Sequence, residues 1–408
     1  MSNLAVEAAF TDSGLREHRF KRVLRRVEDR VGEGRDAQRL SLSSAGHLYK
    51  REGAADRQQA SSATEERSLL VTRDQLVVNP MWLTGGSIAV SSTEGAVSPD
   101  YRVFAADKTL LDARYLHHLL RSAPYRDQYN LFVRANTTFD RRIQQIDLDQ
   151  MPLWLPEVDE QRRIADFLDD RVARIDQIIT ARQRQLELIG ELTRESFSET
   201  INAASDGVIQ VKRLLDSPPD YGLLPDETSS DRTLPRYIRT TDIDDQGRLR
   251  SDTFLSVDRS WLSGYKVSLG DVLIARSGTI GRAMVVSEDI EAVFAGYLVR
   301  LRFAAIDPWS YWFVTKTRGF ADQLALNAVQ STILNFNADR YASMWIPDFR
   351  GRETVMLPEL LRRQAETATQ EEALTRTLAL LEEYKRSLIT AAVTGELDVT
   401  TAGSGVPG

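Results

Sequence analysis

Trp154-Leu155-Pro156 and Trp345-Ile346-Pro347 stand 191 positions apart (345 − 154), and each leads into a long charged stretch. The same offset carries Phe20-Lys21-Arg22-Val23-Leu24 onto Val211-Lys212-Arg213-Leu214-Leu215. Between these anchors Leu116 to Gln128 matches Tyr311 to Gln323 at an offset of 195 (323 − 128), with aromatic, apolar and amide positions in register. Beyond them, Leu188-Ile189-Gly190-Glu191-Leu192-Thr193-Arg194 aligns with Leu380-Leu381-Glu382-Glu383-Tyr384-Lys385-Arg386. A period of this length is too long for a solenoid repeat and matches the size of a domain. The pattern predicts an internal dimer: globular domain, long helix, globular domain, long helix.

The bulk numbers fit that plan. A chain of 408 residues with 42% apolar and 27% charged residues can bury ordinary cores. There is no apolar run of membrane-spanning length, and the start Met1-Ser2-Asn3-Leu4 lacks the basic-then-apolar pattern of a signal peptide. With no cysteine there is neither a disulfide nor a thiolate metal site, and a cytoplasmic location is expected. The four histidines form no ligand set, because His117 and His118 are neighbours on a helical pattern and His18 and His47 stand alone. A formal net charge of −7 argues by itself against nucleic acid, although the stretch Arg16 to Arg39 is rich in arginine.

The expected organisation is a first domain over 1–155, a helix over 156–204, a second domain over 205–350, a second helix over 351–398 and a disordered tail over 399–408. Strands are expected at Leu69 to Val78, Ser87 to Ser91 and Tyr101 to Phe104, with a helix at Ala113 to Arg121. The second domain repeats the plan at Tyr237 to Arg239, Asp271 to Ala275, Arg282 to Val286 and Leu298 to Phe303, followed by a helix at Trp309 to Phe320. Short strands mixed with helices indicate α+β bodies. The loop Asp216 to Asp231, rich in Pro, Gly, Asp and Ser, belongs on the surface.

After Pro156, the acids Glu157, Asp159 and Glu160 suit a helix N-terminus. Leu168, Val172, Ile175, Ile179, Leu186 and Ile189 then advance in steps of four and three, the spacing of a coiled-coil seam, with Arg182 at one seam position. The second helix, expected to open at Pro358 and to end near Gly395, repeats the rhythm with Leu374, Leu378, Leu381, Leu388 and Ala392, and with Lys385 in the seam. At 1.5 Å per residue each would run roughly 60 Å. Neither stripe can be buried on so small a domain, so an antiparallel pair is expected.

Catalytic motifs are missing or incomplete. Asn79-Pro80-Met81-Trp82 resembles the Asn-Pro-Pro-aromatic element of amino-methyltransferases but lacks the second proline, and no Gly-x-Gly turn stands upstream to hold a nucleotide. No Gly-Lys pair exists to form a phosphate-cradling loop. Pro99-Asp100 has no nearby Glu-x-Lys to complete a metal nuclease; Glu383-Tyr384-Lys385 lies on the second helix. The chain reads as non-catalytic and without a cofactor of its own.

The run Met151-Pro152-Leu153-Trp154-Leu155-Pro156-Glu157-Val158-Asp159-Glu160-Gln161-Arg162-Arg163-Ile164-Ala165-Asp166-Phe167-Leu168-Asp169 resembles the specificity subunit of type I restriction-modification systems. There, the end of a target recognition domain leads through Glu-Gln-x-x-Ile-x-x-Phe-Leu-Asp into a spacer helix. The likeness extends to Ala181 to Ser196 and to Tyr384-Lys385-Arg386-Ser387-Leu388-Ile389-Thr390-Ala391-Ala392-Val393-Thr394-Gly395-Glu396-Leu397-Asp398. Within the domains it rests on Val77-Val78-Asn79-Pro80-Met81-Trp82, Gly95 to Tyr101, Tyr237 to Ile243 and Gly270 to Gly281. Two departures stand out: Leu357-Pro358-Glu359-Leu360-Leu361-Arg362-Arg363-Gln364-Ala365 replaces a clean copy of the Glu-Gln start, and Pro80 stands where the second half keeps Arg276.

The resemblance implies a subunit without activity of its own, whose domains each read one half of a split, asymmetric double-stranded DNA target while the helices set the gap. Its implied partners are two methyltransferase subunits using S-adenosylmethionine, and motor-nuclease subunits using ATP and Mg. Those partners would supply part of the phosphate-neutralising charge. The candidate DNA-binding residues are Asn79, Trp82, Thr84 and Ser87 in the first domain, and Arg239, Thr240, Thr241, Arg276, Ser277, Gly278 and Thr279 in the second. A cation, hydroxyls and a glycine in one loop suit phosphate and groove contacts, and equally a plain strand-ending turn; Trp82 suits a core better than a contact. Gln161, Ile164, Phe167, Leu168, Ile175, Ile179, Leu186, Ile189, Leu374, Leu378, Leu381 and Leu388 are the candidates for partner binding and helix pairing. The rival readings are a tandem-repeat scaffold without DNA binding and a stand-alone methyltransferase or nuclease.

Overall fold

The computed structural model describes residues 4–10, 14–34, 36–51, 65–133, 142–328 and 336–400. The chain divides into two compact units, Met1–Arg182 with Arg376–Gly408, and Gln183–Thr375. Both long helices are continuous, Val158–Ala203 and Glu353–Thr394, so each unit holds one mixed α/β body and a stretch of each helix. From residue 401 the expected tail lies outside the described residues.

In the first unit the strands are β1 (Arg16–Arg19), β2 (Leu24–Val27), β3 (Leu40–Leu42), β4 (Leu48–Lys50), β5 (Leu69–Val71), β6 (Leu76–Val78), β7 (Ile88–Val90), β8 (Gly95–Val97), β9 (Arg102–Ala106) and β10 (Pro152–Leu155). Those of the second unit are β11 (Val208–Gln210), β12 (Asp220–Tyr221), β13 (Arg236–Ile238), β14 (Val272–Ala275), β15 (Ala283–Val285), β16 (Ala292–Phe294), β17 (Leu298–Leu301) and β18 (Trp345–Pro347). The repeat is visible in the pairing. The antiparallel sheet β2-β9-β6-β7 has the strand order of β12-β17-β14-β15, and β1 with β10 corresponds to β11 with β18. The other pairs differ: β5 meets β8 antiparallel where β13 meets β16 in parallel, and the first unit also holds the antiparallel pair β3 with β4.

The sequence offset also reaches the short helix Leu4–Phe10. It carries Val6 onto Phe197 (197 − 6 = 191) and Phe10 onto Ile201, and all four side chains are buried in the core of their own unit. That helix therefore fills the place that the end of the first long helix fills in the second unit. Phe10 stacks on Trp154 with ring centroids 6.4 Å apart. Ile201 has no ring to offer, and Trp345 is 50% exposed.

Three expectations change in detail. The single strand over Leu69 to Val78 is two strands separated by a turn at Asp74, whose φ is 66°. The helix Trp309 to Phe320 is broken into Pro308–Val314 and Arg318–Ala328. There the Thr315 hydroxyl donates to the Trp312 carbonyl and the Thr317 hydroxyl to that of Val314, local bonds that compete with helix propagation. The second long helix starts at Glu353 rather than Pro358, which lies inside it. Proline there forfeits one main-chain bond, while Phe349, Met356 and Leu360 bury in the second core on either side and hold the turn in place. The loop after Asp216 is mostly exposed but contributes β12 to the sheet edge and buries Leu223.

Helix pairing is antiparallel inside each unit. In the first, Ile164, Ala165 and Leu168 share a core with Ala392 and Val393, and further along the Asp176 carboxylate accepts from Lys385 Nζ at 2.7 Å. In the second, the Thr193 and Thr367 hydroxyls meet at 3.1 Å, and Arg363 donates to the Ser196 hydroxyl. Gly395, at φ 82°, ends the second helix in the left-handed conformation that glycine accepts without strain.

Candidate nucleic-acid interface

In the second unit the candidate residues gather at one end of the strands. Ala275 pairs with Leu298, and the next donor, Arg276 N–H, reaches the Tyr297 carbonyl at 2.9 Å. Because β13 runs parallel to β16 and Ala295 N–H continues onto the Ile238 carbonyl, Arg239 leaves its strand beside the same Ala295-Gly296-Tyr297 turn. The structure thus brings Arg239–Thr241 and Arg276–Thr279 to one edge.

The Arg276 loop is held from inside. The Tyr341 hydroxyl donates to the Ala275 carbonyl at 2.6 Å and accepts from Gly281 N–H at 3.1 Å, pinning both ends of the turn. Gly278 needs φ 69° and Gly281 φ 84°, values that L side chains avoid. The Arg276 guanidinium lies 4.5 Å from the centre of the Tyr221 ring and reaches the Gly296 carbonyl at 3.5 Å. Ser277 is half-buried, while Gly278 and Thr279 are exposed.

Arg239 is used differently. Its Nε and Nη2 donate to the two Asp242 oxygens at 2.9 and 2.8 Å, and its backbone N–H adds a third bond at 2.8 Å. Burial works to raise the Asp242 pKa, but these bonds hold it below the usual carboxylate value. Arg239 thereby clamps the turn Thr240–Asp242, with Thr241 exposed and Thr240 half-buried.

The first unit repeats this frame with other side chains. Asn79 N–H donates to Ser87 as Ala275 N–H donates to Arg282, and Ile143 N–H donates to the Pro80 carbonyl as Phe336 N–H donates to that of Arg276. Pro80 therefore occupies the place of Arg276. The Asn79 side chain accepts from Met81 N–H at 3.1 Å, and Ser87 is buried. Gly86, at φ 91°, lies where a Cβ would come within 2.7 Å of the Ser44 carbonyl oxygen. Thr84 is half-buried and Trp82 is 56% exposed, so its indole is not in the core. Cations nearby come from other positions: Arg102, cross-strand from Val78, donates to the Ile143 carbonyl at 2.8 Å, and Arg142 pairs with Asp100 at 3.3 Å. Burial, with Arg26 and Arg142 beside it, pushes the Arg102 pKa down to about 10.

On the helices the candidate positions are largely covered. Gln161 is fully buried; its carbonyl oxygen accepts from Asp112 N–H and its amide donates to the Leu110 and Pro156 carbonyls, all at 2.9 Å. Ile164 and Leu168 enter the first core, while Phe167 lies under the Arg171 guanidinium at 5.4 Å. Ile175, Ile179 and Leu374 are buried, and Leu186, Ile189, Leu378, Leu381 and Leu388 are half-buried. Tyr221, Leu224 and Tyr297, exposed around the Arg276 loop, were not singled out by the sequence patterns. Their only signal is the pair of short Gly-containing stretches Tyr221-Gly222 and Gly296-Tyr297. Among the described residues no group of three or more His, Cys, Asp or Glu side chains could hold a metal ion, and no helix is long and apolar enough to cross a membrane.

No protein-family model and no curated protein matches the chain. Solved structures do. A chain from work on the "structural basis underlying complex assembly and conformational transition of the type I R-M system" superimposes with a TM-score of 0.68 at 16% identity, over 94% of this chain and 98% of that one. The HsdS subunit from Thermoanaerobacter tengcongensis, at 15% identity, gives a TM-score of 0.43 over 94% of this chain and 97% of that one. The type I restriction-modification S subunit from M. genitalium, at 11% identity, gives 0.40 over 93% and 96%. Over nearly its whole length, the chain has the fold of a chain solved as part of a type I restriction-modification system.

Proposed function

We propose that this chain is the non-catalytic DNA-specificity subunit of a type I restriction-modification complex, acting in the cytoplasm. Each unit reads one half of a split, asymmetric duplex target, and the helices set the gap. The chain recruits two methyltransferase subunits, which bind S-adenosylmethionine, and motor-nuclease subunits, which use ATP and Mg. The observation that carries this reading is the duplicated strand order with different side chains at equivalent loops, Pro80 against Arg276, on a fold matched over 94% of the chain. Two similar but unequal readers suit a target with two different halves, as identical readers suit a palindrome.

Mechanistically, the chain's task is placement. Loop cations and hydroxyls at the strand ends neutralise phosphates and fix register, and groove-facing side chains select bases. A mobility-shift assay with the methyltransferase partner present, on unrelated duplexes at two salt concentrations, tests this. A sequence-selective, salt-weakened complex is expected. Absence of any DNA complex would favour a protein scaffold instead.

A further inference from the structure

The surface beside the Arg276 loop carries an apolar element with no role in the core. Tyr297 is 56% exposed and Leu224 65% exposed, and both flank Gly296. The turn beneath them is rigidly held. Leu223 N–H donates to the Phe294 carbonyl and Gly296 N–H returns to the Leu223 carbonyl at 2.7 Å. A Cβ on Gly222 would fall 2.1 Å from the Phe294 carbonyl oxygen, so only glycine lets the two segments approach this closely. The main chain that carries the ring is thus fixed, so no further backbone freedom is lost when the ring is covered.

Its neighbours indicate what covers it. The Tyr297 carbonyl accepts from Arg276 N–H, and the Arg276 guanidinium is already stacked on Tyr221, whose hydroxyl accepts from Ala338 N–H at 2.9 Å. Cation and exposed ring are therefore neighbours on adjacent strands, and the hydroxyl residues Ser277 and Thr279 follow Arg276 in its loop. A backbone phosphate suits the cation and hydroxyls, and an apolar side chain beside them suits the C5-methyl of thymine in the major groove.

The first unit differs at this place. Arg102 opposes Val78 and Val299 opposes Ile274, so Tyr297 corresponds to Asp100, which is occupied by Arg142. We propose that Tyr297 is a specificity-determining residue of the second unit, reading a thymine in one half of the target by apolar contact, with no counterpart in the first unit. The inference rests on the DNA-specificity reading above.

The test is adenine-methylation mapping over a randomised duplex library, using the full chain with its methyltransferase partner, for wild type, Tyr297→Phe and Tyr297→Ala. Thermal unfolding of each variant is measured alongside. The expected result is that Tyr297→Ala keeps its unfolding midpoint and loses about tenfold preference for thymine at one position of one half, while Tyr297→Phe behaves as wild type. Unchanged selectivity in Tyr297→Ala, a uniform loss across both halves, or unfolding would each overturn the role of Tyr297 and leave the wider reading standing. Absence of any split-site preference in the wild type would instead refute the DNA-specificity reading itself.

Discussion

Arg239 and Asp242 close on one another across a single turn, two parallel N–H···O bonds joining guanidinium to a fully buried carboxylate. Removing the cation leaves a buried carboxylate without its strongest partner. Arg239→Ala is expected to destabilise the second unit by about 2 kcal/mol, below the value for a fully buried pair because the Arg239 side chain is one-third exposed. Asp242 titrates below its ordinary value in the fold, so its contribution is present above about pH 4 and lost as pH falls through its folded pKa. The cost of Arg239→Ala therefore shrinks below pH 4, which urea unfolding midpoints at pH 7 and pH 3.5 would reveal.

His117 gives the first unit an acid sensitivity of its own. Its Nδ1 accepts from Val90 N–H at 3.3 Å, and burial, reinforced by His118 and Arg121, brings its pKa down to about 3. The unfolded chain takes up a proton near pH 6.5 that the folded ring refuses. Stability from this group is complete above pH 6.5 and falls toward pH 3, with a slope of about 1 kcal/mol per pH unit. His117→Gln, which retains an acceptor but does not titrate, is expected to flatten the unfolding midpoint between pH 6.5 and 5. An unchanged slope would mean another group is responsible.

Gly190 lies within the continuous first long helix with no visible reason of packing, since a Cβ there would meet nothing within 4 Å. Gly190→Ala should stabilise the chain by about 0.5 to 1 kcal/mol through helix propensity. Thermal unfolding is the check, and a lower midpoint would show that the glycine accommodates a contact.

The parts legible in the sequence are those set by periodicity and local chemistry. The helix Ala113–Arg121 and the start of the first long helix after Pro156 follow from apolar spacing and N-terminal acids. Seam residues such as Ile175 and Ile179 are buried as their rhythm implies. Long-range contacts were not legible. The direction of β13 against β16 is decided by pairing between strands more than fifty residues apart, which no local pattern encodes. Pro358 reads as a helix start, yet core burial of Met356 and Leu360 carries the helix through it. At the candidate interface, the sequence isolates Arg276 by residue type, but that Tyr221 and Tyr297 adjoin it depends on tertiary pairing.

If the helices act as the ruler, four residues inserted after Gly190 lengthen the first helix by about 6 Å, between one and two base pairs at 3.4 Å each along one strand of B-DNA. Four residues nearly restore helical phase, so the seam is stuttered rather than broken. With a matching insertion near Gln370, which the Thr193–Thr367 and Asp176–Lys385 contacts place opposite Gly190, both half-sites are expected to persist with a gap one or two bases longer. Methylation mapping over a library of gap lengths decides it; an active variant that keeps the original gap would assign the spacing to the partner subunits.

The most direct test of the central claim is to sequence modified adenines in DNA from cells expressing this chain with its methyltransferase partner, for wild type and for a chimera whose residues 205–350 come from another such subunit. The expected result is an asymmetric target in two parts, of which the chimera changes one half and keeps the other. No modification dependent on the chain, or a single uninterrupted motif that the chimera alters throughout, would contradict the assignment of one half-site to each unit.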